Sequence, residues 1–159
     1  MEKTLFLNAV TQYKDTVYRT ALHSLGIPQD ADDAVQEVFI RLFNYKGTFD
    51  SGEHLRRWLL RVTVNYCRDV LKNPWRRRIS WDDLPEIPVF DEPRQELLYR
   101  EVMALPEKYR TVLNLFYYEE LSAREIGDLL GLPASTVTTR LMRARQRLKE
   151  RLGEDWQDE

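Results

Sequence analysis

The chain has 159 residues, 43% of them hydrophobic and 31% charged, with a formal net charge of −2, a composition that supports one ordinary folded domain or two small ones. No run approaches the roughly 18 apolar residues that a membrane span requires, and Met1-Glu2-Lys3-Thr4-Leu5 lacks the long apolar stretch of a secretory signal, so no membrane insertion is expected and the cytoplasm is the expected compartment. Cys67 is the single cysteine, which excludes an internal disulfide and any Cys-rich zinc site, and no cofactor or metal is expected.

Apolar periodicity predicts a first lobe of three helices, at about 5–25, 30–44 and 52–72, and no segment alternates with period two. Gly26-Ile27-Pro28 separates the first pair, and Lys46-Gly47-Thr48-Phe49-Asp50-Ser51 the second. In the helix over 30–44, Ala31, Val35, Val38, Phe39 and Leu42 form the inward stripe, with Asp30, Asp32 and Asp33 at the positive end of the helix dipole. Its far side groups Asp33, Gln36, Glu37 and Arg41 around Ile40, an apolar residue pointing away from the core. A lone exposed isoleucine is ordinary, but one ringed by mixed polar groups is also compatible with a small docking surface. In the helix over 52–72, Leu55, Trp58, Leu59, Val62, Tyr66 and Val70 are expected inside. Arg57, Leu60, Arg61, Val64 and Arg68 interleave on the other side, which fits nucleic-acid contact or a helix buried on two sides with its arginines reaching outward.

Pro74, Pro85, Pro88 and Pro93, spaced through an acidic stretch, forbid a continuous helix and mark residues 74–94 as a connector. Trp75, Trp81, Ile87 and Phe90 give it more apolar surface than a plain tether carries, and are expected to dock on a lobe or on a partner. A second lobe follows over 95–153, and 154–159 form an acidic tail. It opens with helices at about 95–104 and 106–119. Next, Ser122 and Glu125 have the spacing of a capping box, Ile126, Leu129 and Leu130 give one apolar face, and Gly127 removes a side chain where another helix must pass. Gly131 ends this helix in the left-handed conformation and Pro133 starts the next, the punctuation of a helix-turn-helix.

The second helix of that motif, at about 134–151, anchors itself through Val137, Leu141, Ala144 and Leu148. Ser135, Thr138, Thr139, Met142, Arg143 and Gln146 face the other way, side chains suited to base edges and thymine methyls. Arg140, Arg145, Arg147, Lys149 and Arg151 flank them, where their charge suits phosphates. DNA is therefore the first expected partner. Basic faces on an acidic whole favour DNA binding assisted by a protein partner.

In this order and spacing the segments resemble the extracytoplasmic-function (group IV) sigma factors of bacterial RNA polymerase, of the sigma-70 superfamily. Asp32-Asp33-Ala34-Val35-Gln36-Glu37-Val38-Phe39-Ile40-Arg41-Leu42 is similar to that family's region 2.2, and Trp58-Leu59-Leu60-Arg61-Val62-Thr63-Val64-Asn65 with Asp69 to regions 2.3 to 2.4. Leu105-Pro106-Glu107-Lys108-Tyr109-Arg110 is similar to the opening of region 4. The helix-turn-helix with Thr139-Arg140-Leu141-Met142-Arg143-Ala144-Arg145 is similar to region 4.2.

The resemblance implies an all-α chain of two small helical domains, region 2 at 1–73 and region 4 at 95–153, joined by the Pro-rich acidic linker. It implies that Asp33, Gln36, Glu37, Ile40 and Arg41 bind the β′ clamp helices of core polymerase. Arg57, Arg61, Val64, Asn65 and Arg68 would engage the melted −10 element, with Asn65 near a pocket for a flipped base. Ser135, Thr138, Thr139, Arg140, Met142, Arg143 and Arg147 would read the −35 duplex. An anti-sigma factor is a further expected partner, and the free chain is expected to be a monomer without catalytic residues. Thr138 stands where several members carry a basic residue, Met142 where an aromatic is frequent, and Glu53-His54-Leu55-Arg56-Arg57 departs from the usual pattern, so promoter preference does not carry over. Two other readings are a dimeric helix-turn-helix repressor or activator, which footprints without polymerase, and a DNA-processing enzyme, for which no motif gathers carboxylates or a nucleophile.

Overall fold

The amphipathic segments fold as helices in the computed structural model, which describes residues 1–73 and 90–153; among these no strand occurs. The chain divides into two compact units, Met1–Pro85 and Glu86–Glu159. The fold is all-α, with two small helical domains. Trp75, Trp81 and Ile87 and the acidic tail 154–159 lie outside the described residues, as does most of the expected connector.

Unit 1 is built from α1 (Lys3–Leu25), α2 (Pro28–Asn44) and α3 (Gly52–Leu71). Pro28 occupies the first turn of α2, where a missing amide costs no hydrogen bond, and Ser51 caps α3 by accepting from the His54 amide at 3.1 Å. Ala9, Tyr13 and Val17 of α1 pack on Val38, Phe39 and Leu42 of α2 and on Leu59 of α3. Burying a leucine such as Leu42 or Leu59 contributes about 1.5–3 kcal/mol. The Tyr13 hydroxyl donates to the Gly52 carbonyl at 3.1 Å, tying α1 to the start of α3.

Of the two sequence readings of α3, the structure fits the helix covered on both sides with its arginines reaching outward. Leu60 and Val64 are 0% and 4% exposed, so both belong to the core rather than to an outward face. The buried stripe runs through Leu59, Leu60, Thr63, Val64 and Cys67, while Leu55, Trp58 and Val62 are only partly covered. Thr63 makes this possible, because its hydroxyl donates to the Leu59 carbonyl at 2.6 Å and enters the core with its polar atom satisfied.

Unit 2 contains α4 (Pro93–Met103), α5 (Glu107–Leu113), a π-helical turn (Asn114–Tyr118), α6 (Ala123–Leu130) and α7 (Ala134–Leu152). The first of these begins at Pro93, two residues ahead of expectation, and Phe90 just before it packs its ring on Tyr99 with centroids 5.3 Å apart. The single helix expected over 106–119 is instead α5 followed by the π turn. There the Glu119 amide reaches back five residues to the Asn114 carbonyl at 3.1 Å. The wider turn keeps Leu115 buried while Tyr117 and Tyr118 face solvent.

Candidate nucleic-acid interface and docking face

The helix-turn-helix assembles from its local signals. The Ser122 hydroxyl accepts from the Glu125 amide at 3.1 Å and the Glu125 carboxylate accepts from the Ser122 amide at 3.0 Å, so α6 opens on a complete capping box. Ile126, Leu129 and Leu130 are buried, and Gly131 closes the helix at φ 71°. A Cβ on Gly127 would collide with the Leu132 carbonyl oxygen, so glycine is what lets the turn fold back against α6.

Val137, Leu141 and Ala144 bury one side of α7, and Leu148 is half-buried beside them. The opposite side presents Ser135, Thr138, Met142, Arg143 and Gln146 to solvent, with Thr139 half-buried at its margin. The Thr138 and Thr139 hydroxyls donate to the Ala134 and Ser135 carbonyls at 3.0 and 2.9 Å. What they offer a base is therefore an acceptor lone pair and a methyl group. Met142, 58% exposed, adds a flexible apolar contact between them.

The cations of α7 fall into two groups. Among the described residues, Arg140, Arg143 and Lys149 have no ion pair. Arg147 lies over the Tyr109 ring at 4.8 Å, Arg151 donates to Glu101 at 3.0 Å, and Arg145 donates to the Tyr117 hydroxyl at 2.6 Å. The hydrogen bond to Glu101, and then the charge of that carboxylate, raise the pKa of Arg151. Sequence periodicity assigns one role to the five flanking cations Arg140, Arg145, Arg147, Lys149 and Arg151, because the groups that separate Arg145, Arg147 and Arg151 from the others lie on other elements.

On α3, Arg57, Arg61, Asn65 and Arg68 recur at i, i+4, i+8 and i+11 and share one stripe, with Arg61, Asn65 and Arg68 exposed. The stripe is polar: Val64, expected there, is in the core. Glu53 at the start of α3 accepts from Arg57 at 2.8 Å and from Arg56 at 3.0 Å. Such exposed pairs contribute about 0–1 kcal/mol, and a phosphate competes with them readily.

On α2, Asp33, Gln36, Ile40 and Arg41 are exposed and Glu37 is half-buried. Ile40 is 55% exposed, and Phe43, three residues on, is 50% exposed, extending the apolar centre beyond what the sequence reading included. Arg41 Nε donates to Glu37 Oε1 at 3.0 Å.

Both units match known families. The model for Sigma-70 region 2 matches residues 9–77, and that for Sigma-70 region 4 matches residues 95–148. The ECF RNA polymerase sigma factor SigW of Bacillus subtilis (strain 168) is 31% identical over 169 residues, covering 95% of this chain and 90% of that protein. The chain belongs to the ECF RNA polymerase sigma factors. The ECF RNA polymerase sigma factor SigE of Mycolicibacterium smegmatis is 36% identical to this sigma factor over 162 residues, covering 90% of it and 60% of the longer relative.

Solved structures share the architecture. The sigma factor RpoE in complex with the anti-sigma factor NepR from Bartonella quintana matches with a TM-score of 0.76 at 18% identity, covering 95% of this chain and 98% of that one, a likeness of fold. CnrH in complex with the cytosolic domain of CnrY matches with a TM-score of 0.65 at 27% identity, over 98% and 92% of the two chains. As a sigma factor the protein serves transcription initiation, and the relatives named here are sigma factors rather than enzymes. No helix among the described residues is long and apolar enough to cross a membrane.

Proposed function

We propose that this sigma factor binds core RNA polymerase through unit 1 and reads two promoter elements, one with each unit, across the connector at 74–94. The docking face is Asp33, Gln36, Glu37, Ile40 and Arg41 on α2, set against the β′ clamp helices. A half-exposed isoleucine ringed by ionisable groups supports this, since interfaces centre on an apolar anchor with a polar rim. The melted −10 strand runs along Arg57, Arg61, Asn65 and Arg68 of α3, Asn65 offering an amide to an unstacked base. Val64 has no part in it, being buried.

The −35 duplex is read by Ser135, Thr138, Thr139, Met142 and Arg143 of α7, with Arg140 and Arg147 on phosphates. Arg147 can stack on Tyr109 and still donate from the edge of its guanidinium. One observation carries this reading above the others: Arg143 stands exposed in the middle of the outward face of α7, beside Met142 and without an ion pair among the described residues, ready for a base edge. Residues 1–73 thus serve as the polymerase-binding domain and 95–153 as the upstream DNA reader. The protein works in the cytoplasm, is a monomer outside its complexes, and is restrained by an anti-sigma factor; RpoE, of like fold, is in complex with the anti-sigma factor NepR.

Run-off transcription with purified core polymerase on a promoter library tests the proposal. Transcripts should start only in the presence of the chain, from templates sharing two separated elements. Transcription indifferent to the chain refutes it.

A further inference from the structure

Arg145 sits on the flank of α7 where a phosphate contact is expected, yet its guanidinium is occupied within its own domain. Its Nε donates to the Tyr117 hydroxyl at 2.6 Å, and its Cζ lies 5.4 Å from the Phe116 ring centroid and 5.5 Å from that of Tyr117. The two rings meet edge to face, with centroids 5.0 Å apart at 76°. Both aromatics belong to the π turn, whose widened geometry sets neighbouring residues Phe116 and Tyr117 against one guanidinium. To reach DNA, Arg145 would have to leave a hydroxyl and two ring contacts; Arg143, two residues earlier, is exposed and has no such contact among the described residues. Arg147 over Tyr109 and Arg151 on Glu101 also meet other helices of the unit, but both are exposed side chains.

We propose that Arg145 and Tyr117 are positioning residues for promoter recognition: together they fix the rotation of α7 about its axis, and Arg145 makes no phosphate contact. A readout surface must be held within about 0.5 Å and 10–20° of its productive geometry. Val137, Leu141 and Ala144 set which side of α7 faces the core, and the contact of Arg145 with Tyr117 adds a directional constraint at the flank of that stripe. A planar guanidinium hydrogen-bonded to a phenol resists rotation. The inference rests on the reading of α7 as the upstream DNA reader.

The experiment uses holoenzyme reconstituted from the full chain and core polymerase, on a duplex library randomised at the upstream element. It reads base preference, affinity as a function of salt, affinity for core, and the melting temperature of the free chain. Tyr117→Phe, Arg145→Lys and Arg145→Gln should each flatten upstream base preference several-fold, with the slope of log K against log salt and the affinity for core unchanged. Tyr117→Phe combined with Arg145→Gln should be no worse than Arg145→Gln alone, because both remove one contact. The inference is overturned if Arg145→Gln lowers the salt slope by about one while Arg145→Lys behaves as wild type, the signature of a phosphate contact. It is equally overturned if the variants lower only the melting temperature and leave base preference intact. A wild-type holoenzyme without preference at the upstream element removes the reading of α7 and this inference with it. If preference is present and Arg143→Ala alone disturbs it, the reading stands and the inference falls.

Discussion

The guanidinium of Arg41 on α2 lies over the ring of Tyr66 on α3, 5.7 Å from its centroid. Tyr66 thereby backs the proposed docking face from the helix that carries Asn65. Burial, then the negative charges of Asp33 and Glu37, hold its hydroxyl above the ordinary value of 10.0. The neutral phenol is the form that the fold favours, so this stabilisation is complete below pH 10 and is lost as pH rises through the higher folded value. The phenolate absorbance difference between wild type and Tyr66→Phe should titrate above 10. Asp33→Asn should bring it part of the way down, since burial is the larger cause. Titration at or below 10 in the wild type would contradict the placement of Tyr66.

Ile40→Asp puts a charge at a position already 55% exposed, so stability should change by no more than about 0.5 kcal/mol. Affinity for core polymerase should fall at least tenfold, because a carboxylate at the centre of an apolar anchor is desolvated without a partner. Fluorescence titration of labelled chain with core enzyme measures it. Unchanged affinity would remove α2 as the docking face.

Arg143→Ala should cost about 1–3 kcal/mol at one base position and relax preference there, if the guanidinium makes a bidentate base contact. Competition among single-base variants of a selected promoter reads this out. A uniform loss over all variants would make Arg143 a phosphate ligand instead.

Gly127→Ala should destabilise unit 2 by about 1–3 kcal/mol, because the obstacle to a Cβ is the Leu132 backbone carbonyl rather than a movable side chain. Urea unfolding followed by circular dichroism gives the value. A neutral or stabilising effect would mean that the turn relaxes away from α6.

Features set by neighbouring residues were legible in the sequence, and those set by partners far along the chain were not. The Ser122–Glu125 capping box and the left-handed Gly131 depend on spacing alone, and both form as expected. The exposure of Ile40 follows from the strong periodicity of α2. The choice between the two readings of α3 did not follow, because Thr63 and Cys67 are ambiguous between core and surface until a hydrogen-bond partner is seen. Trp58 and Tyr66, large and apolar in aspect, drew the expected face toward positions that are only half-covered. The contact between Arg145 and Tyr117 spans 28 residues and depends on a π turn that no periodicity announces.

Footprinting of a promoter selected by run-off transcription tests the central claim most directly, with the chain alone, core polymerase alone, and both together. The account predicts two separated protected patches, with reactive single-stranded bases in the downstream one, only when both proteins are present. Full protection of the upstream site by the chain alone, as a dimer and with no strand opening when core is added, would contradict it.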